Sequence, residues 1–184
     1  MKKNIRIYSF TLPMLIAMAV FGFISLNENQ SSTSQLSHIM DESPTGENPA
    51  LNSVRVSDGD TLTVRAIGAD LSYDITEIEA ARGITFTIRF DNSESTMPHN
   101  VVFVESEEDI MPVGVASLQF YEQEYIPYET DEMEKIFAYS SLAIPGNIVY
   151  LTVVVPKEPG SYPYICTYPG HFTQMQGRLI VDEE

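Results

Sequence analysis

The sequence predicts an all-β fold, a β-sandwich of seven to eight strands with a short helical insertion. Short runs rich in Val, Ile, Thr, Tyr and Phe recur through residues 51–184, with Gly-, Pro- and Asp-containing turns between them. The length of 184 residues suits about one domain, and 43% hydrophobic residues can supply one core. Residues 105–140 interrupt the strand spacing. We place the helix there, near residues 115–121.

Each strand is inferred from a β-branched or aromatic run that ends at a turn. The Asp58-Gly59-Asp60 and Arg82-Gly83 sequences predict two such turns, and residues 61–65 alternate as a half-buried strand does. Residues 147–155 alternate too little for a strand with one exposed face, so we expect burial on both faces. The predicted strands are residues 52–56, 61–67, 73–78, 84–90, 100–104, 147–155, 162–166 and 178–181.

The first fifty residues differ from the rest in composition. Lys2, Lys3 and Arg6 precede an uncharged, largely apolar run, residues 7–26, which is typical of an export signal. The run is also long enough to span a bilayer, so residues 1–26 are either a cleaved signal peptide or a retained membrane anchor. The polar residues 27–50 form a disordered tether to the domain at 51–184. We therefore expect export to the periplasm or cell envelope.

A metal-binding pattern lies near the end of the chain. Cys166, the only cysteine, ends a predicted strand, and His171 and Met175 follow it across a Pro-Gly turn. This spacing lets one loop direct a thiolate, an imidazole and a thioether toward one point. Two histidines and a cysteine with a weak axial methionine are the ligand set of electron-transfer copper sites. The pattern predicts one copper ion.

The second histidine ligand must come from elsewhere in the chain. His99 begins an apolar, β-branched run and should lie at a strand edge, whereas His38 lies in the polar tether. We therefore assign His99. The simpler interpretation is a buried cysteine, an ordinary histidine and a core methionine, but the spacing and the turn together favour the metal site.

Here the chain resembles the cupredoxins, the small blue copper proteins. Residues 166–177 are similar to the azurin ligand loop, and Pro98-His99-Asn100 is similar to the first ligand segment of plastocyanins and auracyanins. The resemblance covers residues 52–182 and implies a Greek-key β-sandwich. It also implies one type 1 copper, with His99, Cys166 and His171 equatorial and Met175 axial. Azurins have glycine before the first histidine, where this chain has Pro98.

The resemblance also implies neighbours that support the ligands. Asn100 is expected to tie the two ligand segments together. We expect hydrogen bonds to the sulfur from Asn100 and from backbone amides around Tyr168. The apolar wall is assigned to Phe90, Phe103, Ile165 and Phe172.

The predicted function is electron transfer by one copper ion, and no catalytic residues are assigned. A copper carrier or storage protein in the envelope is the alternative. Thiol catalysis with Cys166 and His171 lacks an oxyanion signature, a binuclear copper centre needs a second cysteine, and thioether is a poor zinc ligand.

The predicted docking face is an apolar patch around His171, formed by Phe172, Pro98, Met97 and residues 111–112. The formal charge is −16, and residues 105–134 contain ten acidic residues and no Lys or Arg. We therefore expect a redox partner with a basic docking face, such as a c-type cytochrome or a membrane oxidase domain. Binding to nucleic acid is excluded by the same charge.

Overall fold

A computed structural model describes residues 52–182 of the chain. In this part nine strands form two sheets, and one α-helix, α1 (Ile110–Ser117), is inserted between the fifth and sixth strands. The strands are β1 (Ser53–Val56), β2 (Thr61–Arg65), β3 (Glu77–Ala80), β4 (Thr85–Asp91), β5 (Val102–Val104), β6 (Ile136–Tyr139), β7 (Ile148–Val154), β8 (Gly160–Ile165) and β9 (Gln176–Val181). The predicted all-β fold with a helical insertion is confirmed.

The larger sheet has the order β1-β3-β9-β8-β5-β6, and the smaller sheet has the order β2-β4-β7. Both are mixed: β1 pairs with β3, β3 with β9 and β2 with β4 in parallel, while the other pairs are antiparallel. In the larger sheet β8 lies between β5 and β9. The strand after the first histidine therefore lies directly beside the strand that leads to Cys166.

The core fills the space between the two sheets. Val64 and Ile88 from the smaller sheet and Ile78 and Leu179 from the larger one belong to one buried cluster that also contains Cys166. A second buried cluster lies under α1 and includes Ile165 and Phe172. The cysteine segment therefore has packed apolar side chains on both sides, which limits its movement.

Both predicted turns are present. Gly59 and Gly83 have φ angles of 80° and 71°, a left-handed conformation that glycine adopts without steric cost. The third predicted strand is wrong in position. Tyr73 makes only an isolated bridge to Ala66, and the strand is Glu77–Ala80. Strand β6, which begins two residues after the acidic segment 105–134, was not predicted.

Two further expectations are wrong. In β7 Leu151 and Val153 are buried while Tyr150 and Val154 are exposed, because β7 is the edge of the smaller sheet and faces the core on one side only. Its β-branched residues suit a strand whether or not both faces are covered. The helix begins at Ile110 rather than near 115, because proline is tolerated in a first helical turn and Pro112 does not prevent it.

Residues 1–50, with the predicted signal or anchor and the tether, lie outside the described residues. None of the helices in residues 52–182 has the length and apolar character needed to cross a bilayer.

Candidate metal centre

The structure brings His99, Cys166 and His171 together in one buried cluster, with their donor atoms within 4.8 Å of one another. Cys166 Sγ lies 3.7 Å from His99 Nδ1 and 3.5 Å from His171 Nδ1, and the two Nδ1 atoms are 3.2 Å apart. Each side chain thus comes from a predicted ligand position, and the two histidines are 72 positions apart in the chain.

The donor set fits a small cation. A point equidistant from the three atoms lies about 2.0 Å from each, close to metal–nitrogen bonds of about 2.0–2.1 Å and metal–thiolate bonds of about 2.3 Å. Without a positive charge between them, the lone pairs of the two imidazoles face and repel one another. A bound metal ion would attract all three donors and make the arrangement favourable. Two imidazoles and a thiolate in a triangle are suited to copper.

The first ligand segment is held by a single bridge before β5. His99 N–H donates to the carbonyl of Ala143 at 3.0 Å, and Ala143 N–H donates back to the carbonyl of His99 at 2.8 Å. The chain then continues into β5, which pairs with β8. His99 is fully buried, so its backbone and its side chain are both fixed by the larger sheet.

The second ligand segment is a compact loop between β8 and β9. Gly170 has a φ angle of 83°, which turns the chain back, and His171 N–H donates to the carbonyl of Tyr168 at 3.0 Å. Met175 N–H donates to the carbonyl of His171 at 2.8 Å, and Cys166 N–H donates to the carbonyl of Met175 at 3.1 Å. These bonds place Cys166, His171 and Met175 in one rigid turn. Met175 is fully buried in the cluster that contains Cys166.

Asn100 joins the two ligand segments, as the resemblance implies. Its Nδ2 donates to Thr167 Oγ1 and its Oδ1 accepts the Thr167 N–H, both at 2.8 Å. Both residues are fully buried. The residue after His99 is thus locked to the residue after Cys166, which fixes the separation of the two donors.

Burial strongly affects the protonation of the cysteine. It raises the pKa of the Cys166 thiol to about 12, while the backbone N–H groups of Asn100 and Tyr168 favour the thiolate and oppose the rise. These are the two positions from which hydrogen bonds to the sulfur are expected. All four residues assigned to the apolar wall, Phe90, Phe103, Ile165 and Phe172, are buried.

The pKa values of the two histidines shift in the opposite direction, downward. Burial, followed by the nearby His171 imidazole, lowers the pKa of His99 to about 4, and burial lowers the pKa of His171 below its usual range. At neutral pH both imidazoles are therefore uncharged and able to bind a cation, whereas the thiol still carries its proton.

We expect one proton to be released for each copper ion bound at neutral pH. Because the histidines are neutral and the pKa of Cys166 is high, the apparent affinity should rise about tenfold per pH unit from about pH 7 to 9. Copper titration at several pH values measures this slope. A slope near zero would mean that the thiol is already ionised in the free protein.

Several residues of the site were not identified from the sequence. Ser95 Oγ lies 2.9 Å from His99 Nε2, and the Tyr73 hydroxyl donates to the carbonyl of Asn100 at 2.7 Å. The Tyr168 ring packs on His171 with centroids 4.9 Å apart, and Tyr125 packs on Tyr168 at 5.2 Å. Of these residues, only Ser95 had a signal in the sequence, which is its position four residues before His99. Tyr73 and Tyr125 are brought to the site by tertiary packing.

Comparison with known proteins identifies the family. A sequence model of copper binding proteins, the plastocyanin/azurin family, matches residues 60–182, two thirds of the chain. The chain belongs to this family. The resemblance to the cupredoxins is thereby confirmed, and the cofactor of this cupredoxin is one type 1 copper ion.

The similar cupredoxins include auracyanins. Auracyanin-A from Chloroflexus aurantiacus is 34% identical over 122 residues, 66% of this chain and 74% of the relative. Its solved structure, described as that of a "blue" copper protein, has a TM-score of 0.61 and 35% identity, covering 67% of this chain and all of that one. Auracyanin from Roseiflexus castenholzii has the same TM-score at 28% identity, covering 68% and 99%. Auracyanin-B is 27% identical, and the match spans 55% of its length.

Proposed function

We propose that this cupredoxin carries single electrons between redox partners of the cell envelope, with copper bound by His99, Cys166 and His171 and, axially, by Met175. The observation that carries this proposal is the buried triangle of donors, with sides of 3.2–3.7 Å, held by the segments next to β5, β8 and β9 of the larger sheet. Copper supplies a Cu(II)/Cu(I) couple when bound. No residue of the proposed site is assigned a catalytic role.

The protein's contribution is to hold the donors still. Asn100 locks the two ligand segments together, the loop hydrogen bonds fix His171 and Met175, and the apolar wall excludes water. Copper in its two oxidation states favours different geometries. A fixed set of donors therefore leaves little to rearrange when the charge changes, which favours rapid electron exchange over metal release.

Among the four proposed ligands, only His171 has any exposed surface. It is only 4% exposed, and its Nε2 makes no hydrogen bond to the described residues. The one side-chain polar atom in those residues that is both fully buried and unpaired is Asn92 Oδ1. His171 Nε2 therefore reaches solvent. We propose this ring edge as the point at which electrons enter or leave.

A copper carrier or storage protein is the alternative function. Metal release would favour an exposed, loosely held site, whereas His99 and Cys166 are fully buried. Cyclic voltammetry of the copper-loaded protein separates the two functions. We expect a fast, reversible one-electron wave, and a sluggish or absent wave would support the carrier.

The expected docking patch needs one correction. Phe172 is only 6% exposed, because it packs beneath α1, where Gly114 leaves room for its ring: a Cβ on Gly114 would lie 2.3 Å from it. The apolar surface is instead the outer face of α1. Met111 and Val115 there are 54% and 50% exposed, and Phe172 connects this helix to His171.

We propose that the outer face of α1 meets a partner with a basic surface. The short helices on either side, Glu107–Asp109 and Asp131–Lys135, are acidic, and Lys135 is paired with Asp109. We expect the second-order rate with a basic c-type cytochrome to fall several-fold as ionic strength rises from about 0.01 to 0.15 M, where the screening length falls from about 30 to 8 Å.

A matched pair of variants tests the place of docking. Val115→Lys should slow the same reaction, because it puts a positive charge on the proposed contact face. Val154→Lys is the control, since Val154 is 62% exposed on the smaller sheet. If both variants react alike, docking does not involve this face. A salt-independent rate of the unmodified protein would show that the acidic helices do not steer the partner, and docking would then rest on apolar contact alone.

Met175→Gln should preserve the blue colour and shift the reduction potential, because a long axial bond contributes little to binding but tunes the metal. Visible absorption and potentiometry of the copper-loaded variant measure both properties. Complete loss of copper would show instead that Met175 is a structural ligand.

Export is part of the proposal. The basic start and the apolar run 7–26 support delivery to the periplasm or envelope, either free after cleavage or tethered to the membrane through that run.

A further inference from the structure

The loop between β4 and His99 contains a buried polar network that has no role in the proposed function described above. Asn92 is fully buried, and its Nδ2 donates to the carbonyls of Met97 and Ala143, each at 2.8 Å. Ser95 is 4% exposed, and its Oγ accepts the Met97 N–H at 3.2 Å. The loop is therefore fixed on both sides of Ser95 before the chain reaches His99.

The position of the proton on His99 follows from the two ends of its ring. Nδ1 faces Cys166 Sγ and His171 Nδ1, so it must present a lone pair if it binds copper. In the neutral imidazole the proton then sits on Nε2. Nε2 lies 2.9 Å from Ser95 Oγ inside a fully buried residue, so Ser95 Oγ accepts that N–H.

We propose that Ser95 is a positioning residue that selects the Nε2–H tautomer of His99 and holds its ring with Nδ1 toward the metal. The inference rests on the proposed role of His99 as a ligand. The two imidazoles then differ in what contacts Nε2: a protein hydroxyl orients His99, whereas His171 Nε2 meets solvent. The protein hydroxyl keeps the His99 side of the site formed in the absence of metal.

Removing the hydroxyl should leave the Nε2–H buried without an acceptor. The free protein would then lower its free energy by turning the ring or moving the proton to Nδ1, and either change must be reversed before copper can bind. Groups that orient a metal-binding histidine typically contribute about 10–100-fold in metal affinity. We expect Ser95→Ala to weaken copper binding by that factor.

The test compares three variants by competition titration with a chromophoric Cu(I) chelator. Ser95→Ala should bind about 10–100-fold more weakly, while Ser95→Thr, which keeps a hydroxyl, should recover most of the loss. Ser117→Ala is the matched control, because Ser117 is equally buried but its hydroxyl donates to the carbonyl of Val113 inside α1. Unchanged affinity in Ser95→Ala, or equal losses in Ser95→Ala and Ser117→Ala, would overturn the proposal.

A second measurement needs no copper and therefore separates this inference from the proposed function. Nitrogen-15 NMR of the metal-free, unmodified protein should show His99 as the Nε2–H tautomer, and Ser95→Ala should show a mixture or the Nδ1–H form. An Nδ1–H tautomer in the unmodified protein would refute the role of Ser95 even if copper binds. Failure of the protein to bind copper with the predicted tautomer present would instead refute the proposed function.

Discussion

Cys166→Ser should abolish the visible colour of the copper-loaded protein and weaken copper binding by orders of magnitude. The intense colour of such sites comes from charge transfer between a thiolate and copper, and the described residues contain no second cysteine that could replace Cys166. Serine at this buried position would have to lose a far less acidic proton to become an anionic ligand. Visible absorption and a copper titration of the variant measure both effects.

Paired histidine variants provide the control. His99→Gln should also lose the colour, whereas His38→Gln should keep both colour and affinity, because His38 lies in the polar segment before the domain. Persistent colour in Cys166→Ser would show that the assigned loop is not the site. Loss of colour in His38→Gln would show that the second histidine was assigned incorrectly.

Asn100→Ala should lower the free energy of unfolding of the metal-free protein by about 3 kcal/mol. The change removes both hydrogen bonds to Thr167 and leaves the buried Thr167 N–H without its acceptor, while Thr167 Oγ1 keeps its bond to the carbonyl of Tyr125. Each buried group left unpaired costs about 1–3 kcal/mol. Urea denaturation of the variant and the unmodified protein measures the difference.

Asn52→Ala is a suitable comparison for Asn100→Ala. Asn52 is exposed and its side chain makes one hydrogen bond, to the carbonyl of Asp74 at 2.7 Å. Its loss should cost well under 1 kcal/mol, since water can replace the bond. The Asn100 variant should also bind copper more weakly, because the two ligand segments are no longer joined. Equal stability losses in both variants would show that the link is not structural.

The centre could be predicted from the sequence because its residue types are scarce and closely spaced. Cys166, His171 and Met175 occupy one short loop, and only three histidines exist in the chain. The apolar run after His99 was enough to choose between His99 and His38. The strand pattern also predicted the sandwich, because half-buried strands in a small domain leave a two-period signal.

Other features depend on contacts between distant residues, which leave no local pattern. The bridge between Tyr73 and Ala66 and the contact of Ser95 with His99 depend on where loops fold back. Phe172 was expected both in the apolar wall and in the surface patch around His171. It is buried because α1 covers it, and Gly114 is the reason that the helix can approach so closely.

The most direct test of the central claim is X-ray absorption at the copper edge, recorded for the oxidised and the reduced protein. The account predicts one sulfur and two nitrogen neighbours at about 2.0–2.3 Å in both states, with only small changes between them, because the donors are held by the protein before copper binds. Loss of the short sulfur contact, or a change in the number of nitrogen neighbours on reduction, would contradict it.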